Sequence, residues 1–169
     1  MRWDDLCGYV WGKSDQRIEV PIINDNERQT YYGAMNYITG EFFVQAYDAG
    51  NSENTITFLE TLQKRHPESK IALFWDGASY HRSAAIQDFL KTCNQDKPEA
   101  DWAITCTRLA PYAPEQNPVE TVWLQAKQGI RMFWRLCKSF KQVKWLFSRL
   151  IHKQVFLFPK KSILYGSFL

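Results

Sequence analysis

Two β-rich runs followed by alternating helix and strand patterns leave this chain few folds to choose from. Gln29 to Tyr37 and Glu41 to Tyr47 are joined by Ile38-Thr39-Gly40, the pattern of a hairpin with a Gly-containing turn. Asn51 to Lys64 then repeats apolar residues at helical spacing, with Ile56, Leu59 and Leu62 on one face, and His66-Pro67 ends it. Lys70 to Trp75 is a short apolar run bounded by polar residues, as in a buried strand. Tyr80 to Thr92 reads as a second helix, with Ala84, Ala85, Phe89 and Leu90 available to pack, and Trp102 to Thr107 as another strand. A Pro-rich loop from Pro111 to Pro118 precedes a long helical segment from about Val119 to about Ile151. A hairpin and then alternating helix and strand predict an α/β fold, a mixed sheet covered by helices.

The 169 residues suffice for one domain with a sizeable core, and 45% hydrophobic and 15% aromatic residues exclude a disordered chain. A net charge of +3 is too small to argue nucleic-acid binding by itself, so the distribution of charge must carry that case. Cys7, Cys93, Cys106 and Cys137 are scattered, with no C-x-x-C pair, and read as reduced thiols and not as a zinc site or disulfide framework. No secretory signal follows Met1, and no run approaches the roughly 20 apolar residues of a membrane helix. A cytoplasmic protein without membrane partners is the default expectation.

The long helical segment carries two stripes. Val119, Trp123, Ala126, Ile130, Phe133, Cys137 and Phe140 recur at spacings of three and four, a core-facing pattern. Lys127, Arg131, Arg135, Lys138, Lys141 and Lys144 form a basic stripe beside them. That stripe is either a solvated face or a phosphate-facing rail for DNA.

Two acids stand out. Asp76 follows Ile71-Ala72-Leu73-Phe74-Trp75 and precedes Gly77, which places a carboxylate at the rim of a sheet, where open α/β folds bind ligands. The rival explanation is an Asp that starts a turn. Ser79, His81 and Arg82 crowd the same rim and favour the first. Glu120 sits in Asn117-Pro118-Val119-Glu120, which also fits a helix start with Asn at the N-cap, Pro at the first position and Glu in a capping box. Carboxylates at a strand end and just inside a helix are where two-metal phosphoryl-transfer sites put their ligands. His81 could orient a ligand or contact phosphate, or be structural. His66 and His152 lack partners at ligand spacing.

Two blocks, Phe74-Trp75-Asp76-Gly77-Ala78-Ser79-Tyr80-His81-Arg82-Ser83 and Leu109-Ala110-Pro111-Tyr112-Ala113-Pro114-Glu115-Gln116-Asn117-Pro118-Val119-Glu120-Thr121-Val122-Trp123, resemble the DDE endonuclease domain of mariner-superfamily transposases, closest to the bacterial insertion-sequence branch. The likeness runs from Gly8-Tyr9-Val10-Trp11-Gly12 to the long helix, assigning residues 1–158 to that domain and leaving 159–169 as an unassigned tail. It implies an RNase H-like fold with a five-stranded mixed sheet flanked by helices. It implies a carboxylate triad binding two divalent ions, Mg²⁺ or Mn²⁺, with Asp76 and Glu120 as its second and third members. It also implies DNA as partner, both transposon ends and target, with His81, Arg82, Lys127, Arg131, Arg135 and Lys138 as candidate contacts. A homodimer, or assembly with a full-length transposase, is the expected oligomer.

The triad's first Asp has no match. Asp4 and Asp5 align past that position, and the chain reads as a C-terminal part expected to lack the first strand of the sheet. Such a chain is expected to be unable to cut DNA alone. Two other readings stay open: a non-catalytic DNA-binding or regulatory transposase fragment, and a decayed remnant without a stable fold.

Overall fold

The hairpin forms where the sequence predicts it. In the computed structural model, which describes residues 1–7, 15, 19–20, 26–111 and 116–152, β1 (Thr30–Met35) and β2 (Phe42–Tyr47) pair as a two-stranded sheet. Asn36 turns the chain: its Oδ1 accepts from Ile38 N at 2.9 Å and Thr39 N at 3.1 Å. Gly40 completes the turn at φ 74°, a left-handed conformation that favours glycine.

The described chain divides into two compact units. The first holds Met1–Ala46 and the described residues from Val119 onward, and the second is Tyr47–Pro118. In the first unit the hairpin is joined by α3 (Pro118–Met132) and α4 (Phe140–Ile151). Val122, Ala126 and Ile130 bury one stripe of α3, and Phe140, Val143, Leu146, Phe147 and Ile151 bury one stripe of α4. These meet Phe42, Trp3 and Leu6 in one apolar cluster. Rings fill it: Phe42 stands edge-on to Trp123 at 5.3 Å, and Tyr31 lies 4.9 Å from Phe147.

The predicted continuous helix from Val119 to Ile151 is interrupted. After Met132 the chain makes a short 3-10 turn at Trp134–Leu136, and α4 starts afresh. Ser139 is its N-cap, accepting from Gln142 N at 3.4 Å, while Gln142 Oε1 accepts from Lys138 N at 2.8 Å. This S-x-x-Q cap satisfies backbone donors that a continuous helix would have paired internally. The apolar stripe therefore spans two helices, with Phe133 left 44% exposed at the break.

In the second unit, α1 (Ser52–Arg65) is capped by Asn51, whose side chain accepts from Asn54 N at 2.8 Å. It buries Thr55, Phe58, Leu59 and Leu62. β3 (Ile71–Trp75) runs parallel to β4 (Ile104–Arg108), in a register that pairs Ile71 with Ile104 and Trp75 with Arg108. α2 (Ala84–Asn94) connects them, capped by Ser83 and packed on α1 and β4. Ile86 is its buried anchor, while Phe89 and Leu90 are half-buried and Ala84 and Ala85 exposed. At its end buried Asn94 staples helix to strand: Nδ2 donates to Ile104 O at 2.9 Å, and Oδ1 accepts from Ala103 N at 2.8 Å.

β3 was expected to be buried throughout, yet it alternates. Ile71, Leu73 and Trp75 are half-buried while Ala72 and Phe74 are exposed, and their β4 partners Thr105 and Thr107 are exposed as well. Among the described residues the strands pair as two two-stranded sheets, β1 with β2 and β3 with β4. The α/β class stands. The Gly8–Gly12 segment, Tyr112–Glu115 of the second block and the tail from Pro159 lie outside the described residues.

Candidate active site

β3 ends at Trp75, and Asp76 follows at its carboxyl end as the sequence predicts. The ladder continues one step past the strands, with Leu109 N donating to Trp75 O at 2.9 Å, so the backbone beneath the carboxylate is fixed. Asp76 itself is 61% exposed. One of its oxygens is held: Oδ1 accepts from Ala78 N at 2.9 Å and faces His81 Nδ1 at 3.2 Å. The turn explanation and the ligand explanation thus coexist, because the Asx-type bond to Ala78 uses Oδ1 and leaves Oδ2 toward solvent.

His81 lies in the 3-10 turn Ser79–Arg82. Its ring stacks on Trp75 with centroids 4.3 Å apart and planes 4° from parallel, and Tyr80 meets it edge-on at 4.6 Å. The side chain is only 11% exposed. Burial pushes its pKa below the ordinary histidine value, against the opposing pull of Asp76. Arg82, the next residue, is exposed.

Arg108, at the carboxyl end of β4, is a member of this rim that sequence reasoning missed. Its guanidinium lies against Gly77: a Cβ built there would meet Nη2 at 2.8 Å and Nε at 3.0 Å. The available signal was its position, one strand over from Trp75 and just before the Leu109–Glu120 block. The rim of this unit therefore holds the open Asp76 carboxylate, the largely covered His81 imidazole and the Arg108 guanidinium, besides the exposed Arg82.

Glu120 belongs to the other unit, in the first turn of α3, which begins at Pro118 as predicted. The residue is exposed. The basic stripe is partly engaged. Lys127 Nζ pairs with Asp5 Oδ1 at 3.1 Å, and Arg131 Nε donates to Asp5 O at 3.0 Å. Arg135 lies over the Trp134 ring at 5.6 Å, in the turn between the helices, and Lys138 is exposed beside it. Asp5 is a structural acid: burial raises its pKa, but the Arg2 amide and Lys127 outweigh that and hold it below the usual carboxylate range.

Taken singly, Asp76 and Glu120 each carry a carboxylate, the kind of group that hard divalent cations bind. Both are oxygen donors open to solvent, the ligand type that Mg²⁺ and Mn²⁺ prefer. Among the described residues, no group of three or more His, Cys, Asp or Glu side chains is arranged to hold a metal ion. No described helix is long and apolar enough to cross a membrane.

An exposed carboxylate at the carboxyl end of a parallel strand sits where open α/β proteins bind their ligands. Comparison with known families makes this specific: the chain belongs to the DDE superfamily endonucleases, whose family model matches residues 2–144. Asp76 and Glu120 both lie inside the matched region. Among solved structures, the chain is similar to one in the cryo-EM structure of the simian T-cell lymphotropic virus intasome in complex with PP2A regulatory subunit B56 gamma. The TM-score is 0.48 at 13% identity, covering 76% of this chain and 49% of that one. The match spans about half the length of that chain. No curated protein sequence matches.

Proposed function

We propose that this chain is the catalytic region of a DNA transposase of the mariner superfamily, from its bacterial insertion-sequence branch, acting by divalent-metal-dependent strand cleavage and transfer. The observation that carries this is Asp76: a solvent-open carboxylate, fixed at the end of β3, inside a region that matches the DDE superfamily endonucleases. Asp76 and Glu120 are the residues that would hold the ions. When bound, Mg²⁺ or Mn²⁺ supplies Lewis-acid activation of a water or 3′-hydroxyl and charge neutralisation at the leaving oxygen. The protein's own part is to present Asp76 Oδ2 outward while Oδ1 is occupied, and to keep the Arg108 cation beside Gly77, where it suits a substrate phosphate. Arg82, Arg135 and Lys138 are exposed cations available to DNA. Assembly as a homodimer or with a full-length transposase belongs to the same reading.

The 169-residue polypeptide by itself is expected to leave DNA uncut. Its sequence matches two of the three carboxylates that the resemblance requires, and Asp5 is committed to Arg2 and Lys127. Nicking of supercoiled plasmid by the purified chain in Mg²⁺ or Mn²⁺ would overturn that expectation. For the metal role itself, Asp76→Asn and Glu120→Gln should each weaken Mn²⁺ binding while changing the melting temperature little. For Glu120 a pure capping role would instead leave Mn²⁺ binding untouched and cost at most about 1 kcal/mol of stability. Binding by both variants equal to that of the unmodified chain would end this reading.

A further inference from the structure

The imidazole beside Asp76 is placed for a task that the reading above does not assign. The hydrogen bond of His81 Nδ1 goes to the Asp76 carbonyl oxygen at 3.4 Å, and Asp76 Oδ1 lies 3.2 Å from the same nitrogen. Both are acceptors, so Nδ1 is the protonated nitrogen and donates toward this residue. The ring cannot turn away easily, since it lies flat on Trp75 and carries Tyr80 against its edge. With its side chain 11% exposed, it has little surface to offer a passing ligand. Its direction and its burial both point inward, to the carboxylate.

We propose that His81 is a positioning residue that sets the orientation of the Asp76 carboxylate. Together with the Ala78 amide it occupies Oδ1, so Oδ2 is the oxygen presented to a cation. A carboxylate on a free χ1 would spread both oxygens over several directions; one pinned at Oδ1 presents Oδ2 in one position. The inference rests on the reading of Asp76 as a metal ligand for its consequence, but its geometric content does not.

Two readouts on the full 169-residue chain test it separately. The first is the Asp76 χ1 rotamer, from NMR three-bond couplings in metal-free protein. It should be single in the unmodified chain and in His81→Asn, whose amide nitrogen can stand where Nδ1 stands. It should average over rotamers in His81→Phe, which keeps the stack on Trp75 and loses the donor. The second is the Mn²⁺ concentration that half-broadens the Gly77 amide resonance. Removing a partner that orients a metal ligand typically weakens metal binding roughly ten- to a hundredfold, so His81→Phe should require that much more Mn²⁺ and His81→Asn no more than a few-fold. A fixed rotamer in His81→Phe, or averaging in His81→Asn equal to that in His81→Phe, overturns the proposal. If the unmodified chain and Asp76→Asn respond alike to Mn²⁺ while the rotamer still follows the donor, the metal-ligand reading falls and the positioning role stands.

Discussion

Two glycines show how closely side chains are fitted in each unit, with opposite consequences. At Gly33 in β1 an added Cβ would meet Phe42 Cζ at 2.7 Å and Trp123 Cζ2 at 2.7 Å, both parts of rings packed against each other. Neither ring can yield without disturbing the cluster, so Gly33→Ala should destabilise the protein by about 1–3 kcal/mol, seen as a lower urea midpoint. At Gly77 the obstructing atoms are the far end of Arg108, which can swing toward solvent. Gly77→Ala should therefore change stability by less than about 0.5 kcal/mol. A large loss there would show that the Arg108 position is held by more than contact. Asp76 was legible because an apolar run and a Gly bracket it. Arg108 was not, since a lone Arg at a strand end has no local pattern and gains meaning only through the parallel register with Trp75.

Among the secondary-structure elements, caps and staples decide what periodicity cannot. The stripe from Val119 to Phe140 has the right spacing for one helix, and hydrophobic spacing alone carries no mark at the interruption. The mark is Ser139-Phe140-Lys141-Gln142, a helix-start signature hidden inside an apolar pattern. Ser139→Ala should cost about 1 kcal/mol, with the loss measured by thermal melting. A more stable Ser139→Ala variant would mean that the break is imposed elsewhere. Asn94 is the other hidden device. Nothing in its neighbourhood separates it from the polar end of any helix, yet it is buried and serves both the amide of Ala103 and the carbonyl of Ile104. Asn94→Ala leaves these groups unsatisfied and should destabilise by about 1–3 kcal/mol. The hairpin, α1 and β3 were legible because their turn and cap residues coincide with the ends of their patterns.

Across the whole molecule, charge and chain order matter more than any one contact. Asp5 links the N-terminal segment to α3 through Lys127 and Arg131. Its folded-state pKa is depressed, so its ionised form is favoured by folding. That stabilisation is present above the ordinary carboxylate pKa of about 4 and is lost as pH falls through the lower folded value. Asp5→Asn should lower stability by about 1–2 kcal/mol at neutral pH, and the gap should close on acidification to about pH 2. A gap that persists there would place its origin in packing and not in charge. The α/β class was readable from pattern alone; the division into two units was not, because a strand in one unit looks in sequence like a strand in the other.

The first unit is closed by residues from both sides of the second: Trp3, Leu6 and Phe42 precede it, while Val122 to Ile151 follow it. During synthesis the elements of the second unit, from Ser52 to Arg108, are complete before α3 and α4 exist. The early hairpin must then wait, its apolar face unsheltered, until α3 and α4 leave the ribosome. A nascent chain arrested before α4 should accordingly be cleaved by protease within the hairpin and protected between α1 and β4.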